Sequence, residues 1–279
     1  TGATYAWTNS NITTGLTNAT GNGNVPAFTA NNTTGAPITS IISVTPTLNG
    51  CPGLPVNYTI TINPTPTVSV SADLEYCAGD IAPIIPVTGT PAGVVLNWTN
   101  SNTAIGLGAG GIGDIASFTT INNTAIPIVA AIEYTPVANV CNGTPASYSI
   151  TVYPIPDAPT ALNASICPNN ATTLTATAPG GTYEWYDAAI GGTLLFTGAG
   201  YTTPVLTTNT SYWVQTTINN CTSPRAQVDV TIAASLTVNA GLDDTICNGQ
   251  SYTLGASPNG FGYTFDWDQL GNLNFSPTF

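Results

Sequence analysis

Short runs of alternating apolar and polar residues recur along the whole chain and set its fold class. YTITI at 58–62, TVSVSA at 67–72, YSITV at 148–152 and LTVNAG at 236–241 are examples. A period of two sends successive side chains to opposite faces of a strand, so each run reads as one strand of a half-buried sheet. No stretch carries a convincing 3.6-residue apolar period. No apolar run reaches the ~18 residues that a membrane-spanning helix needs. Asn, Gly and Pro, the residues that favour turns, fill the gaps between runs. Within 67–156 the pattern predicts strands near 67–72, 83–88, 93–99, 116–121, 127–137 and 146–153. The expected class is all-β.

The alternating runs belong to a longer repeat. Residues 7–11 read WTNSN, and residues 98–102 read WTNSN again. Phe28 follows Trp7 by 21 residues and Phe118 follows Trp98 by 20. Cys51 and Cys141 follow their tryptophans by 44 and 43, and Tyr58 and Tyr148 each come seven residues later. Both copies then end in a strand and a Pro-X-Pro segment, YTITINPTP and YSITVYPIP. A weaker relation continues to Trp185 and Trp267. Cys77, Cys167 and Cys247 precede Trp98, Trp185 and Trp267 by 21, 18 and 20 residues. The spacings between successive tryptophans, 91, 87 and 82 residues, match the pitch of a small β-sandwich domain. Four units follow: the back part of one domain at 1–66, complete domains at 67–156 and 157–233, and the front part of a further domain at 234–279. Prolines 64, 66, 154 and 156 stiffen two junctions, so the expectation is beads on a rod. Trp7, Trp98, Trp185 and Trp267, one per unit at one position, are expected in the cores. Tyr183, Tyr186, Tyr212 and Trp213 flank the third core, and those that alternate outward would form an aromatic patch.

The repeat also orders the six cysteines into an early type, which precedes the tryptophan, and a late type, which follows it. The expectation is an early-to-late bond inside each complete domain, Cys77–Cys141 and Cys167–Cys221. Cys51 and Cys247 would then be unpaired because their partners lie before residue 1 and beyond residue 279. Closing a loop of about 65 residues would stabilise each domain by roughly 4 kcal/mol. Such bonds imply export to an oxidising space.

Composition narrows the chemistry. Charged residues make up 5% of the 279 residues, lysine and histidine are absent, and Arg225 is the sole cation against 13 carboxylates, a net charge of −12. No basic patch exists to neutralise phosphates, so nucleic acid and anionic membrane surfaces are excluded as partners. Without histidine or lysine, Ser-His-Asp and Cys-His arrangements, lysine nucleophiles and Lys–Asn isopeptide crosslinks cannot form within the segment. No CxxC pair supports zinc. Asp266 and Asp268 flank Trp267 on one strand face, the arrangement of an acid/base pair or, with Asp243 and Asp244, of the best candidate calcium ligands; the simpler reading is a solvated face, with no metal and no cofactor. GAGGIG at 108–113 has no following helix and no lysine, so it reads as a flexible loop rather than a phosphate loop. Sequons at Asn11, Asn18, Asn57, Asn97, Asn142, Asn163 and Asn209 are frequent enough in so Asn- and Thr-rich a chain to arise by chance.

The WTNSN…F…C…YTITI-Pro-X-Pro unit resembles the PKD-like repeats of giant secreted proteins in Bacteroidota. The segment CPNNATTLTATAPGGTYEWYDA…YWVQTTINNCTSPRAQVDVTI (167–232) resembles the Ig-like repeats that accompany them. The resemblance implies tandem immunoglobulin-like and PKD-like antiparallel sandwiches in a cell-surface adhesin or extracellular filament, exported by the type IX system. It carries over no catalytic residue. Asp244-Thr245-Ile246 fits the O-glycosylation pattern of that phylum, with Thr245 as acceptor. The expected partners are neighbouring repeats of the same chain and lateral or end-to-end copies. The alternatives are a carbohydrate-binding region and accessory domains of a secreted hydrolase.

Overall fold

Three tryptophans, each on a strand beside a sheet centre, organise three separate cores. The computed structural model describes residues 2–178 and 180–234, residues 245 and 247–249, and the backbone of the strands Thr237–Asn239, Ser257–Asn259, Tyr263–Trp267 and Leu273–Pro277. Among the described residues every regular element is a strand or a single 3₁₀ turn. The chain divides into two compact units, Thr1–Ile155 with Asn219–Cys221, and Pro156–Ile218 with Thr222–Phe279.

The second repeat is the most complete of the first unit. Its larger sheet runs in the order Gly110–Ile112, Val95–Asn100, Ile128–Ala138, Ala146–Tyr153, Leu74–Cys77, with Cys141–Asn142 also paired to Ile128–Ala138. Short strand pairs, Thr67–Ser69 with Thr88–Thr90 and Ile81–Ala82 with Phe118–Thr119, bring Val68 and Phe118 onto the same core. Alternation does what the pattern predicts: Ala130, Ile132 and Tyr134 point inward from one strand, and Tyr148, Ile150 and Val152 from its neighbour. Trp98 closes this core with Ile105, Ile115 and Leu96. The expected strand at 83–88 is instead two short strands around a single Ile85–Ile115 bridge. Pro83 and Pro86 explain the break, because neither can donate to a ladder.

The first repeat copies the sheet of the second. Thr4–Asn9, Thr20–Asn22, Ile38–Leu48, Cys51–Pro52 and Val56–Ile62 form five strands around Trp7, Leu16 and Ile42. Among the described residues Val56–Ile62 pairs on one side only, and the consequence is visible in its tyrosine: Tyr58 is 43% exposed where the equivalent Tyr148 is 6%.

In the second unit, a six-stranded sheet (Ala164–Ile166, Ala226–Ile232, Thr210–Ile218, Thr182–Tyr186, Leu194–Thr197, with Cys221–Thr222 beside Thr210–Ile218) faces a three-stranded sheet of Thr160–Ala161, Thr173–Thr177 and Gly200–Thr202. Trp185, Leu174, Val214, Val228 and Val230 fill the space between them. Both complete sandwiches contain one parallel pair, Leu74–Cys77 with Ala146–Tyr153 and Ala164–Ile166 with Ala226–Ile232, where purely antiparallel ladders were expected.

That parallel strand overturns the expected disulfides. Cys77 lies beside Tyr153, at the end of the sheet where Ile128 pairs Val152, whereas Cys141 lies beside Ala138 at the other end. The length of Ile128–Ala138 separates them, roughly 33 Å at ~3.3 Å per residue. Disulfide bonding needs Cα atoms about 4.4–6.8 Å apart, so Cys77–Cys141 cannot form in this fold. The same topology keeps Cys167, next to Ile166 and its partner Ile232, away from Cys221 beyond the far end of Thr210–Ile218. Cys77 bonds Cys221 instead, with a Cα–Cα distance of 5.5 Å across a sequence separation of 144. Cys51, Cys141, Cys167 and Cys247 are free.

The glycine-rich segment is the second correction. GAGGIG is not a flexible loop, since Gly110–Ile112 pairs with Val95–Asn100 and Gly111 sits opposite Trp98. A Cβ on Gly111 would lie 2.8 Å from Cζ2 of the indole. Gly21 stands in the same relation to Trp7. Glycine is required there because the strand passes directly over the ring.

Candidate functional site

The repeated WTNSN signature proves to be a turn built from its own side chains. In the second repeat Asn100 donates through Nδ2 to the carbonyls of Leu107 (3.0 Å) and Gly108 (3.1 Å) and accepts from the Asn102 N–H at 3.0 Å. Ser101 Oγ accepts from the Ala131 N–H at 2.8 Å. Asn102 caps the 3₁₀ turn Thr103–Ile105 through the Ala104 N–H, and Gly106 ends it with φ 92°. In the first repeat Asn9, Ser10 and Asn11 make the corresponding bonds to Leu16, Asn18, Ile41 and Thr13. A second network of this kind was not singled out from the sequence. Asn32 and Asn122, 90 residues apart, each donate to two carbonyls and accept from a threonine two residues on. The shared Asn-X-Thr spacing was the available signal.

The outer face of the third repeat's sheet is where unlike polar and aromatic groups converge. Trp185 and Tyr183 share the inward parity of Thr182–Tyr186, so Glu184 and Tyr186 point outward, as do Trp213 and Gln215 of Thr210–Ile218. Of the four flanking aromatics, Tyr212 is therefore core, Tyr183 ties back to Ala178, and Tyr186 and Trp213 are the outward pair. Glu184 accepts from Gln215 Nε2 (2.8 Å) and from the Tyr186 hydroxyl (3.2 Å). Burial, followed by the neighbouring carboxylate of Glu184, pushes the Tyr186 hydroxyl above its ordinary range.

Arg225 completes the cluster. Its Nε donates to Gln215 Oε1 at 3.0 Å, and its Nη1 donates to the carbonyls of Ala188 (2.6 Å) and Gly191 (2.7 Å). The guanidinium lies 3.4 Å from the centre of the Tyr186 ring, a cation–π stack. The sole cation of the chain is thus committed to pinning the 187–193 loop onto the sheet, and the face of Tyr186 it covers is closed to a ligand. Trp213 remains half-buried and outward. Nearby, Asp229 accepts from Ser211 Oγ (2.6 Å) and Gln227 Nε2 (2.9 Å), bonds that hold its carboxyl below the usual range.

Other sequence candidates do not gather. Among the described residues no three potential metal ligands cluster. Asp243, Asp244, Asp268 and the side chains of Asp266 and Trp267 lie outside the described residues. Thr245 is exposed, while Asp244 and Ile246 are not described. Asn163 and Asn209, both sequon asparagines, accept from the backbone N–H groups of Asp229 and Ile232. A depression of about 470 Å³ lined by Ile12, Thr13, Thr17, Asn31, Thr33 and Thr34 contains no titratable side chain. Among the described residues no helix is long and apolar enough to cross a membrane.

Residues 156–233 match the family model of an Ig-like domain described as CHU_C associated. Similar solved structures include titin domains A168–A170 (13% identity, 67% of this chain and 72% of that one, TM-score 0.42). Others are Sidekick-1 immunoglobulin domains 1–5 (12%, 82% and 52%, 0.33) and the FN1–FN3 domains of chicken CNTN1 (10%, 70% and 78%, 0.30). No curated protein matches the chain.

Proposed function

We propose that this chain is a non-catalytic repeat segment of a large secreted cell-surface adhesin or extracellular filament of the Bacteroidota type, acting as a stalk or adhesive array. The observation that carries the reading is the use made of the recurring residues. The asparagines and serine of WTNSN and the Asn-X-Thr asparagines spend their hydrogen-bonding groups on the backbone around them, and Trp7, Trp98 and Trp185 each fill a core. Among the described residues, what recurs from repeat to repeat is therefore what makes a sandwich, together with the cysteines. An oxidised cystine and an Ig-like repeat fit export to an oxidising space. Antibodies against the chain should label intact, unpermeabilised cells of its source, and labelling only after lysis would overturn the reading.

A carbohydrate-binding role is the second reading, and Trp213 is the observation that favours it. An outward indole beside Ser211, Gln227 and Asp229 offers a sugar an apolar face with hydrogen-bonding groups at its edge. A glycan array separates the two. A stalk retains no glycan, whereas a binding region retains a defined set that Trp213→Ala abolishes.

A further inference from the structure

The Cys77–Cys221 bond joins an early cysteine of one repeat to the late cysteine of the next, and three further observations concern the other cysteines of the two types. First, the late cysteines occupy one structural position. Cys51, Cys141 and Cys221 each begin a two-residue strand after a tight hairpin whose two turn residues have positive φ: Asn49 and Gly50, Asn139 and Val140, Asn219 and Asn220. Second, the early cysteines occupy another. Cys77 ends, and Cys167 directly follows, the strand that pairs in parallel with the last strand of its repeat, at the end of the sheet that leads into the next junction. Third, the late hairpin of the second repeat already lies against the junction that precedes it. Asn63 Nδ2 donates to the Asn139 carbonyl at 3.3 Å, and a Cβ on Gly143 would collide with the Pro66 carbonyl oxygen. Cys141 is thus held at the junction end of its repeat, where the early cysteine of the preceding repeat belongs.

We infer that disulfides in this protein run between successive repeats and not within them, each clamping one junction. Resting on the reading of a longer chain of repeats, Cys51 and Cys141 take early-type cysteines of the repeats preceding their own. Cys167 and Cys247 take late-type cysteines of the repeats that follow. Each bond forms when two thiols lose two protons and two electrons to a disulfide-donating oxidase of the oxidising compartment.

Peptide mapping without reduction tests the inference. The chain has a single arginine and no lysine, so trypsin is uninformative, but cleavage before aspartate places the six cysteines on six peptides: 1–72, 73–79, 114–156, 157–186, 187–228 and 244–265. In the 279-residue chain secreted through an oxidising compartment, 73–79 should be recovered joined to 187–228. The other four should be alkylated as thiols. In the protein isolated from its source, those four peptides should each be joined to a cysteine peptide from outside residues 1–279, with the protein migrating as a monomer on a non-reducing gel. Recovery of 73–79 with 114–156, or of 157–186 with 187–228, overturns the rule. So do free thiols at the four positions in the source protein, and so does a disulfide-linked oligomer, which would place the partners in neighbouring copies. None of these outcomes depends on whether the surface binds a glycan.

Discussion

At the scale of single residues, the tightest constraints fall where the backbone passes a large side chain or turns left-handed. Gly111 lies so close over the Trp98 indole that even a methyl group requires the ring to move within a packed core. Gly111→Ala should destabilise by about 1–3 kcal/mol, the usual cost of overpacking. Gly108→Ala, where an added Cβ meets nothing within 4 Å, should change stability by less than about 0.5 kcal/mol. Thermal unfolding of the pair checks the argument, and equal melting temperatures would show that the indole has room. Val140 carries the opposite kind of strain. It is a β-branched residue at φ 62°, 99% exposed, so nothing it packs against repays the conformation. The third repeat has Asn220 at the equivalent place with the same φ. Val140→Asn should therefore raise stability by about 0.5–1 kcal/mol, since asparagine tolerates the left-handed region without glycine's added freedom in the unfolded chain. An unchanged or lowered denaturation midpoint would count against it.

At the scale of elements, the loops are held by buried asparagines as firmly as the strands are held by ladders. Asn122 is buried and joins its own turn to the last strand of the repeat, donating to Ile126 and Val152 and accepting from Thr124. Asn122→Ala leaves those groups unpaired and should cost about 1–3 kcal/mol, whereas Asn123→Ala, at an exposed site one residue on, should be nearly neutral. Chemical denaturation of the two variants decides it. These elements also mark how far the sequence can be read. Period-two alternation located Ile128–Ala138 and Ala146–Tyr153 almost to the residue, because each buries one face against the core. The repeat spacing singled out Trp7, Trp98 and Trp185 as core positions for the same reason. Alternation missed Leu74–Cys77 and Gly110–Ile112, the two edge strands of the sheet, because the first turns only Leu74 and Tyr76 to the core, too short a pattern to stand out, and the second is made largely of glycine. The cysteine pairing was misread because early and late spacings fix positions along the chain but not the end of the sheet to which each cysteine is carried. That end is set by the parallel strand. The outward pair Tyr186 and Trp213 was legible only as a possibility among four aromatics, since parity assigns a face once the register with Trp185 is known.

At the scale of the whole molecule, histidine and lysine are absent, so apart from the cysteine thiols the side chains that titrate are carboxylates at low pH and tyrosines at high pH. Asp73 accepts the Ser149 N–H at 2.7 Å and has its carboxyl lowered, as Asp229 does, so their contribution is present at neutral pH and is lost as pH falls through their depressed values. The tyrosines act in the other direction. Burial, aided by Asp114, pushes Tyr134 up to about 12, and burial raises Tyr148, Tyr76, Tyr201 and Tyr212 as well. An unfolded tyrosine loses its proton near 10. Between those values the folded chain holds protons that the unfolded chain has released, so stability must fall as pH rises through that window. The expected profile is flat from about pH 5 to 9 and declines steeply from about pH 10 to 12. Tyr134→Phe, which removes one titrating group together with its 3.0 Å bond to the Gly113 carbonyl, should lower stability at pH 7 and make the alkaline limb shallower. Denaturation midpoints at pH 7, 9, 10.5 and 11.5, taken within minutes and with the disulfide verified on a non-reducing gel, measure both effects. A wild-type midpoint unchanged at pH 11.5 would mean that these hydroxyls ionise without unfolding the sandwiches, and that water reaches cores that the side-chain packing closes to it.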